Sequence, residues 1–318
     1  IKNDNSENYA DSYLTLLSYE YSHNIESKYL ESSGHFIDFP KSIFVKFSLI
    51  YEFIHDCKKI NVYYKDKKQL ETANDFLCKE SNNDVDRLEV SNINYNFSQA
   101  QYYEAIEKSK DKISNGICYQ TNLTRKFFGN FTKKPTNSTA LDSFLRLSNH
   151  SPANYSCFIK YHDKFIISNS PELYLKVNNN VVTSQPIKGT SPRSNNPITD
   201  YFNKKYLTFS SKEKAENLMI VDLVRNDLSL FSKAGSVAVD KLFKVDSYKS
   251  YHHLSTIIKS DLLADKNLSD IIKSSFPPAS MTGTPKISAV NVANSLENIK
   301  RGIYSGAIGF INGKKNAN

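Results

Sequence analysis

The 318-residue chain is long enough to bury a substantial core, either as one large domain or as two of average size. Its 41 basic and 33 acidic side chains give a formal net charge of +8, but the lysines are scattered, without a long basic block. This distribution argues against a nucleic-acid-binding surface and fits attraction for an anionic small molecule.

The four cysteines, Cys57, Cys78, Cys118 and Cys157, lack both paired short spacing and the density of a small secreted disulfide scaffold. We therefore expect reduced thiols and a cytoplasmic location. No apolar run approaches the roughly 18 residues that a membrane-spanning helix needs, and residues 1–12 are too polar for a signal peptide. No membrane partner is expected.

The first 95 residues carry the weakest patterns. Residues 42–55 are apolar and aromatic enough for a buried strand or a short helix, and periodicity does not separate the two. Residues 73–95 are polar and rich in turn-forming side chains, which predicts a connector. We therefore divide the chain into an N-terminal region, 1–95, and a second region, 96–318.

Stronger patterns begin at Ser98. This serine is a candidate N-cap for an amphipathic helix over residues 98–113, and Gly116 follows the helix end. Residues 118–128 should form the next strand, which contains Gln120. A glutamine amide donates and accepts hydrogen bonds but cannot serve as a general base.

A hairpin is predicted around an Asn-rich turn, with strands over residues 174–177 and 181–183. It leads to the segment PIKGTSPR, residues 186–193, in which Gly189 follows Lys188. The glycine lets the backbone approach a ligand closely. The lysine becomes a nucleophile only where burial or a neighbouring cation lowers its pKa, and a solvated loop lysine is the alternative.

Carboxylates flank this segment on both sides. Glu172 stands sixteen residues before Lys188, after a Ser-Pro turn, and taken alone it is most simply an exposed surface glutamate. Downstream, an almost continuous apolar run predicts a buried helix over residues 213–228. We assign the two aspartates within this helix, Asp222 and Asp227, to structure.

Two adjacent histidines, His252 and His253, fall in a predicted strand, which places them on opposite faces of a sheet. One can point into a site while its neighbour points away. The stretch lacks a second histidine at helical metal-ligand spacing, so no zinc site is expected.

The clearest helix start follows Gly283. Thr284 is the predicted N-cap and Pro285 the first helical residue, and apolar residues recur at helical spacing as far as residue 297. Free amide groups at this helix start favour a carboxylate, and the glycine permits its close approach.

Seven ordered segments resemble the chorismate-utilising enzymes, which include anthranilate, isochorismate, salicylate and aminodeoxychorismate synthases. The segments are GICYQTNLTRKF (116–127), NSPEL (169–173), PIKGT (186–190), ENLMIVDLVRNDLS (216–229), YHHLSTI (251–257), FPPASMTGTPK (276–286) and RGIYSGAIGFI (301–311). The lysine of PIKGT is typical of aminodeoxychorismate synthase component I, whereas anthranilate synthases carry alanine there. The resemblance covers most of residues 96–311.

The resemblance implies an α+β fold, a sandwich of two large, mainly antiparallel sheets with outer helices. It also implies conversion of chorismate and ammonia to 4-amino-4-deoxychorismate, on the route to p-aminobenzoate and folate. A glutamine amidotransferase, as a separate subunit or a fused domain, would supply the ammonia. The alternatives are anthranilate synthase component I, and an inactive remnant that serves only as a binding module.

The matched positions imply three catalytic roles. Lys188 is the nucleophile that adds at C2 of chorismate, Glu172 is the general acid/base for the C4 hydroxyl, and His253 is the active-site histidine. His252 is then expected on the surface. Gln120 stands where water-adding relatives have a lysine that activates water, so its presence favours ammonia as the nucleophile.

Further contacts follow from the same resemblance. Substrate-binding roles are implied for Gln120, Gly189, Thr190, Thr282 and Gly283. Magnesium is the implied cofactor, with Glu216 as its ligand, because magnesium prefers oxygen ligands and keeps several waters. Ala279 replaces a usual glycine, which would alter the turn if that position requires a positive φ.

A tryptophan pocket is also implied, formed in some relatives by the motif here written LESSG (30–34) and a segment matching SPANYS (151–156). Its candidate residues are Ser32, Asn154, Tyr155 and Ser156. Asn154 replaces a usual proline, and a plain turn is the alternative.

Family members continue beyond the strand GAIGFI into a strand with a carboxylate-binding arginine and into further magnesium-binding glutamates. We therefore expect this chain to be C-terminally incomplete, and to have little synthase activity by itself.

Overall fold

The computed structural model describes residues 11–34, 37–77, 87–312 and 317. The expectations for Cys78, for residues 1–10 and for the end of the chain at 313–316 and 318 lie outside this range. Within it the chain forms an α+β fold in which every strand pairing is antiparallel, so the predicted class is confirmed. In this part of the chain, no helix is both long and apolar enough to cross a membrane.

The helices are α1 (Ser22–Ile25), α2 (Lys67–Leu77), α3 (Gln99–Ser114), α4 (Asn137–His150), α5 (Pro197–Phe209), α6 (Ser211–Ser229), α7 (Leu268–Ser275) and α8 (Lys286–Glu297). The strands are β1 (Ser12–Leu17), β2 (Ser42–Lys46), β3 (Leu49–Ile54), β4 (Lys59–Tyr64), β5 (Val90–Tyr95), β6 (Gln120–Thr121), β7 (Phe127–Phe131), β8 (Tyr155–Tyr161), β9 (Lys164–Ser170), β10 (Leu173–Asn178), β11 (Val181–Gln185), β12 (Ile187–Pro192), β13 (Ala238–Ser247), β14 (Tyr251–Asp261), β15 (Gly283–Thr284) and β16 (Ala307–Asn312).

Two sheets dominate the architecture. One has the order β16–β1–β2, and the other has the order β10–β11–β14–β12 with β13 also paired to β14. Ala317 forms backbone bridges to both, through Val177 of β10 and Ile311 of β16. The remaining strands form two-stranded ribbons.

Helix α6 covers the five-stranded sheet and forms the largest buried cluster. Its residues Ile220, Val224 and Leu228 pack against Val182 of β11 and Ile258 of β14. Burying each such side chain contributes about 1.5–3 kcal/mol. The predicted buried helix is therefore confirmed, and it begins at the cap Ser210, whose hydroxyl accepts the Glu213 amide.

One N-terminal prediction leaves two structures open and another needs correction. Residues 42–55 are compatible with a strand or a short helix, and the structure has two strands there, β2 and β3. The connector predicted at 73–95 contains the end of α2 and the whole of β5, and its residues 78–86 lie outside the described range. Strand β5 exists because it pairs with β7, a partner distant in sequence that composition does not reveal.

The helix predicted from Ser98 is confirmed. The serine hydroxyl accepts the amide of Gln101, whose side chain in turn accepts the Ser98 amide, which completes a capping box. The strand predicted over residues 118–128 is only partly formed, as β6 and the start of β7. Between them the Thr124 amide donates to the side chain of Glu297 at 2.7 Å, so the backbone has left the strand ladder.

A buried ion pair joins distant parts of the chain. Arg301 donates to both carboxylate oxygens of Glu297, at 2.9 and 2.6 Å, and both side chains are only 1% exposed. The guanidinium also donates to the carbonyls of Met281 and Asn122, at 3.0 and 2.7 Å. It lies 4.5 Å from the centre of the Tyr19 ring, a cation–π distance.

Glu20 completes this cluster from the N-terminal region. Its carboxylate accepts the backbone amides of Arg301 and Gly302, at 2.7 and 3.0 Å. Both acidic groups and the guanidinium are thus saturated with partners, which is the condition under which buried charge is tolerated.

We predict that Glu297→Ala lowers the free energy of unfolding by about 3–5 kcal/mol, because it leaves a buried guanidinium without its counter-charge. The matched control is Asp142→Ala on α4. Asp142 pairs with Arg146 at the same i,i+4 spacing, but the Arg146 side chain is 55% exposed. The control should lose far less. Urea unfolding followed by circular dichroism measures both, and equal losses would contradict the prediction.

Candidate active site

The hairpin that precedes Lys188 forms as predicted. Strands β10 and β11 pair across Asn179 and Asn180, both at positive φ of 50° and 63°. Asparagine tolerates this left-handed backbone better than most residues, which explains the Asn-rich turn. The chain then enters β12, whose pairing with β14 shifts register between Ile187 and Thr190.

Lys188 and Gly189 occupy this irregularity. Such a shift releases residues from the regular ladder and re-aims their side chains. Gly189 adopts φ +96°, and a Cβ there would lie 2.9 Å from Oε2 of Glu213 and 3.2 Å from the Leu254 side chain. The positive φ therefore favours glycine, and a side chain at this position would also crowd Glu213 and Leu254.

The structure brings Lys188 and Glu172 together around one turn. The Lys188 amine donates to the Ser280 carbonyl at 3.0 Å, and the Ser280 hydroxyl contacts the Glu172 carboxyl. Glu172 also accepts the Ile187 amide at 3.3 Å. Glu172 is partly buried, so the exposed surface position suggested by its local sequence is wrong.

Burial shifts both groups toward their neutral forms. It lowers the pKa of Lys188, against the opposing effect of Glu172 and Glu216. It raises the pKa of Glu172, against the hydrogen bonds from Ser280 and Ile187 and the charge of Lys188. A neutral amine is a nucleophile and a neutral carboxyl is a proton donor, so the direction of each pKa shift favours the corresponding role.

Thr190 and His253 face each other across the β12–β14 ladder. The threonine hydroxyl and Nδ1 of the histidine are 3.0 Å apart, within hydrogen-bond distance. The ring of His253 contacts those of Tyr248 and Tyr251, at centroid distances of 5.5 and 6.0 Å. Burial lowers the pKa of His253, with Asp246 opposing. The imidazole can therefore accept a proton or a hydrogen bond at neutral pH.

A cavity of about 200 Å³ adjoins this histidine. Its wall includes His253, Thr190, Tyr248 and Tyr251, together with Pro171, the neighbour of Glu172. Its lining is mainly apolar, with a few polar groups, as is usual for a small-molecule site.

His252 corrects one prediction. It does lie on the face opposite His253, but it is 1% exposed and not on the surface. Helix α5 covers it, and its Nε2 lies 3.1 Å from Oδ1 of Asp200.

Gln120, Thr282 and Gly283 meet where β6 pairs with β15. Gly283 has φ +139°, and a Cβ there would lie 2.2 Å from the Gln120 carbonyl oxygen. The carbonyl of Thr282 accepts the Asn122 amide at 2.9 Å. Oε1 of Gln120 is buried and has no hydrogen-bond partner in the described part of the chain.

The helix after this ribbon starts one residue later than predicted. Thr284 belongs to β15, where its carbonyl accepts the Tyr119 amide, and the N-cap is Pro285. No side chain caps the helix, so its first amides stay free for an anion. Ala279 begins a 3-10 turn, Ala279–Met281, whose φ is negative, so replacing glycine leaves the turn intact.

Two carboxylates of α6, those of Glu213 and Glu216, lie near Lys188 and Gly189. Glu213 lies against Gly189, and Glu216 is one turn further on, 41% exposed and 4.0 Å from Lys212. Glu213 is not singled out by the sequence pattern, although its i,i+3 spacing from Glu216 was the available clue. Within the described ranges, no three His, Cys, Asp or Glu side chains form a ready metal cluster.

The two aspartates assigned to structure, Asp222 and Asp227, lie in different environments. Asp227 forms a buried ion pair with Lys286 at 2.5 Å, and burial raises the pKa of its carboxyl to about 6 against the pull of that lysine. Asp222 pairs with Arg225 on the surface of α6 at 3.0 Å. Both contacts are structural, as expected.

The residues predicted for a tryptophan pocket fall in two places. The Ser32 hydroxyl is 3.4 Å from the Glu20 carboxylate. Asn154 donates to the Tyr248 hydroxyl at 3.2 Å, and Ser156 donates to Asn169 at 2.6 Å. Tyr155 begins β8, and burial raises the pKa of its phenol. The pocket remains a prediction.

The family description "chorismate binding enzyme" matches residues 1–318. Aminodeoxychorismate synthase component 1 of Escherichia coli K12 is 35% identical over 216 residues, 68% of this chain and 47% of that protein. Anthranilate synthase component 1 of Saccharolobus solfataricus is 33% identical over 234 residues, 74% of this chain and 54% of that protein. The chain thus spans about half the length of these curated relatives.

Solved structures agree with this assignment. Anthranilate synthase component I of Streptococcus pneumoniae has a TM-score of 0.84 at 27% identity, covering 96% of this chain and 69% of that one. The menaquinone-specific isochorismate synthase MenF of Escherichia coli has a TM-score of 0.74 at 15% identity, covering 97% of this chain and 68% of that one, and supports the fold alone. By sequence and by fold, the chain belongs to the chorismate binding enzyme family.

Proposed function

We propose that this chain is the chorismate-converting part of an aminodeoxychorismate synthase, which makes 4-amino-4-deoxychorismate from chorismate and ammonia. The observation that carries the proposal is the contact of Lys188 and Glu172 with the same residue, Ser280, with both pKa values shifted toward the neutral forms. Relatives named aminodeoxychorismate synthase support it.

The proposed first step uses both neutral groups. The lone pair of the Lys188 amine forms a bond to C2 of chorismate, the two ring double bonds shift, and the C4–O bond breaks. Glu172 gives its proton to the departing hydroxyl, which leaves as water. The lysine nitrogen then returns its extra proton to the Glu172 carboxylate, so the pair is ready for the second step.

In the second step ammonia attacks C4. The double bonds shift back, the bond between C2 and Lys188 breaks, and Glu172 gives its proton to the departing nitrogen, which leaves as the neutral amine. The proton lost by the new C4 amine then restores the Glu172 carboxyl. Gln120 has no basic group with which to activate water, which favours ammonia over water as the nucleophile. Its unpartnered Oε1 would accept a hydrogen bond from the substrate.

Three further groups would orient the substrate. The free amides at the start of α8, beside Gly283 and Thr282, suit a carboxylate. Gly189 and Thr190 offer a close backbone and a hydroxyl, and His253 would hold the ring through its imidazole. The aromatic side chains of Tyr248 and Tyr251 line the cavity beside His253 and would exclude water from the part of the substrate that they cover.

The two carboxylates of α6 fit magnesium. Glu213 and Glu216 lie one turn apart, and magnesium is commonly bound by one or two carboxylates with waters and substrate oxygens completing its shell. When bound, magnesium would neutralise a substrate carboxylate. Glu213 would also buttress Gly189, which it contacts from α6.

Anthranilate synthase is the second candidate, supported by relatives with that name and by the similar fold of one such enzyme. Lys188 opposes it, because the resemblance gives anthranilate synthases alanine there. We further propose a glutamine amidotransferase as the ammonia source, a role in folate synthesis and a cytoplasmic location. The term "component 1" in the relatives' names fits an enzyme with a second component.

The product decides between these candidates. With chorismate, ammonium and magnesium, we expect the full-length protein containing this chain to form aminodeoxychorismate, identified by mass spectrometry. Intact-mass analysis during turnover should reveal an adduct on the chain, and Lys188→Ala should remove the adduct and lower the rate by at least about 100-fold. Anthranilate or isochorismate as the main product would refute the proposal, and the lack of any adduct would refute covalent catalysis.

The protonation states predict a bell-shaped dependence of kcat/KM on pH. Glu172 must be protonated, so activity falls as pH rises past its raised pKa, and Lys188 must be neutral, so activity falls as pH drops past its lowered pKa. Initial rates between about pH 6 and pH 9 measure this. A flat profile across that range would contradict the assigned roles.

We predict that Gly189→Ala weakens chorismate binding by about tenfold or more, because its Cβ would displace Glu213 and strain the Lys188 backbone. Gly235→Ala is the matched control, since Gly235 also has a positive φ, +75°, but open space around its Cβ position. Both should lose about 1–2 kcal/mol of stability. Calorimetric titration with chorismate measures binding, and equal weakening in both would contradict the prediction.

A further inference from the structure

A closed ring of hydrogen bonds lies behind the site histidine. His252 contacts Ser247 through Nδ1, at 2.9 Å, and Asp200 through Nε2, at 3.1 Å. Arg193 donates through Nε to the same Asp200 oxygen at 2.8 Å, and through Nη1 to the Tyr248 carbonyl at 2.6 Å. Tyr248 is covalently next to Ser247, so the ring is complete.

The ring joins four elements at one corner of the sheet. Asp200 lies on α5, His252 on β14 and Ser247 at the end of β13, while Arg193 directly follows β12. The Arg193 side chain holds the pKa of the Asp200 carboxyl well below its usual range. Because an ionised carboxylate can only accept, Nε2 of His252 carries a proton and donates to Asp200, while Nδ1 lies within hydrogen-bond distance of the Ser247 hydroxyl.

Two residues of this hydrogen-bond ring, Tyr248 and His252, adjoin the candidate active site. The aromatic ring of Tyr248 lies against that of His253, with centroids 5.5 Å apart. His252 is the chain neighbour of His253, whose Nδ1 is 3.0 Å from the Thr190 hydroxyl. Thr190 in turn lies three residues before Arg193 in the chain. A change in the ring therefore moves both partners of the Thr190–His253 contact.

We propose that His252 is a positioning residue, which through Asp200 and Ser247 fixes the geometry of Thr190, His253 and Tyr248 around the substrate. It never touches the substrate, because its side chain is buried on the opposite face of β14. A buried apolar side chain would fill the same space without orienting the strand, which explains a fully bonded histidine here. The catalytic consequence rests on the proposed function, whereas the geometric one does not.

The test compares two substitutions in the full-length protein. His252→Gln keeps an amide near the Nε2 position that can donate to Asp200, whereas His252→Asn reaches only toward Ser247. We expect His252→Asn to lower kcat by about 10- to 100-fold with little change in KM, and His252→Gln to retain most of the wild-type kcat. Asp240→Asn, which removes a 3.0 Å ion pair with Lys259 between β13 and β14 outside the ring, should leave kcat unchanged.

A double-mutant cycle separates positioning from general destabilisation. Thr190→Val removes the hydroxyl that meets His253, and combining it with His252→Asn should cost much less than the product of the two separate losses. Multiplicative losses, or a loss in His252→Gln as large as in His252→Asn, would overturn the proposal. So would a KM increase that accounts for the whole effect.

A second readout does not depend on turnover. In protein labelled at histidine, the ring resonances of His253 should shift in His252→Asn and stay near their wild-type positions in Asp240→Asn. Unchanged His253 resonances in the folded His252→Asn variant would overturn the proposal. If the wild-type protein forms no aminodeoxychorismate, the proposed function fails, and the resonances alone decide the positioning role.

Discussion

A single buried guanidinium organises this molecule. Arg301 donates to the carbonyls of Asn122 and Met281 and to the carboxylate of Glu297, so it joins the strand region around residue 122 to the turn at 281 and the end of α8. Ser280 directly precedes Met281, and its carbonyl accepts a hydrogen bond from the Lys188 amine. The turn that binds the Lys188 amine is therefore held in place by a buried ion pair. Its full burial makes this support rigid, since neither charge can be released to water at low cost.

The groups to which we assign the reaction occupy places where regular structure stops. Lys188 and Gly189 fall in a register shift of β12, and Gly283 belongs to a ladder of only two residues per strand. Regular pairing would commit the backbone amides and fix side chains at alternate faces. The interruptions instead let Lys188 and Glu172 approach the same residue, Ser280, in a partly dry environment. The regular elements around them, above all α6 and β14, supply the stiffness that the interruptions lack.

Local chemistry made some of this predictable from the sequence. The Ser98 cap, the turn at Asn179 and Asn180 and the apolar run of α6 follow from interactions within a few residues, and each formed as expected. The catalytic candidates came from the resemblance. The rest depended on partners far along the chain. Strand β5 forms because it pairs with β7. Thr284 pairs with β6 and therefore does not cap α8. Helix α5 packs over His252 and buries it.

The same reasoning explains the two residues that the sequence did not reveal. Arg301 stood in a matched motif and Glu297 is at i,i+4 spacing from it, but its other partners lie at positions 19, 122 and 281, which no local pattern connects to it. The role of Glu213 depends on its packing against Gly189, and the two residues come together only in the fold. In both cases the sequence contains the residue but does not indicate which distant residues it contacts in the fold.

The order of strands in the smaller sheet constrains how the protein is made. Strand β1 is central, between β2 and β16, and its Ser12 pairs with Asn312. On the ribosome, β1 can pair with β2 early, but its other edge stays open until residues 307–312 have emerged. An exposed edge of this kind is a template for pairing between chains. During synthesis, nascent chains are therefore most vulnerable to pairing with one another along the open edge of β1. A chaperone that shields strand edges has to protect this edge until residues 307–312 have emerged.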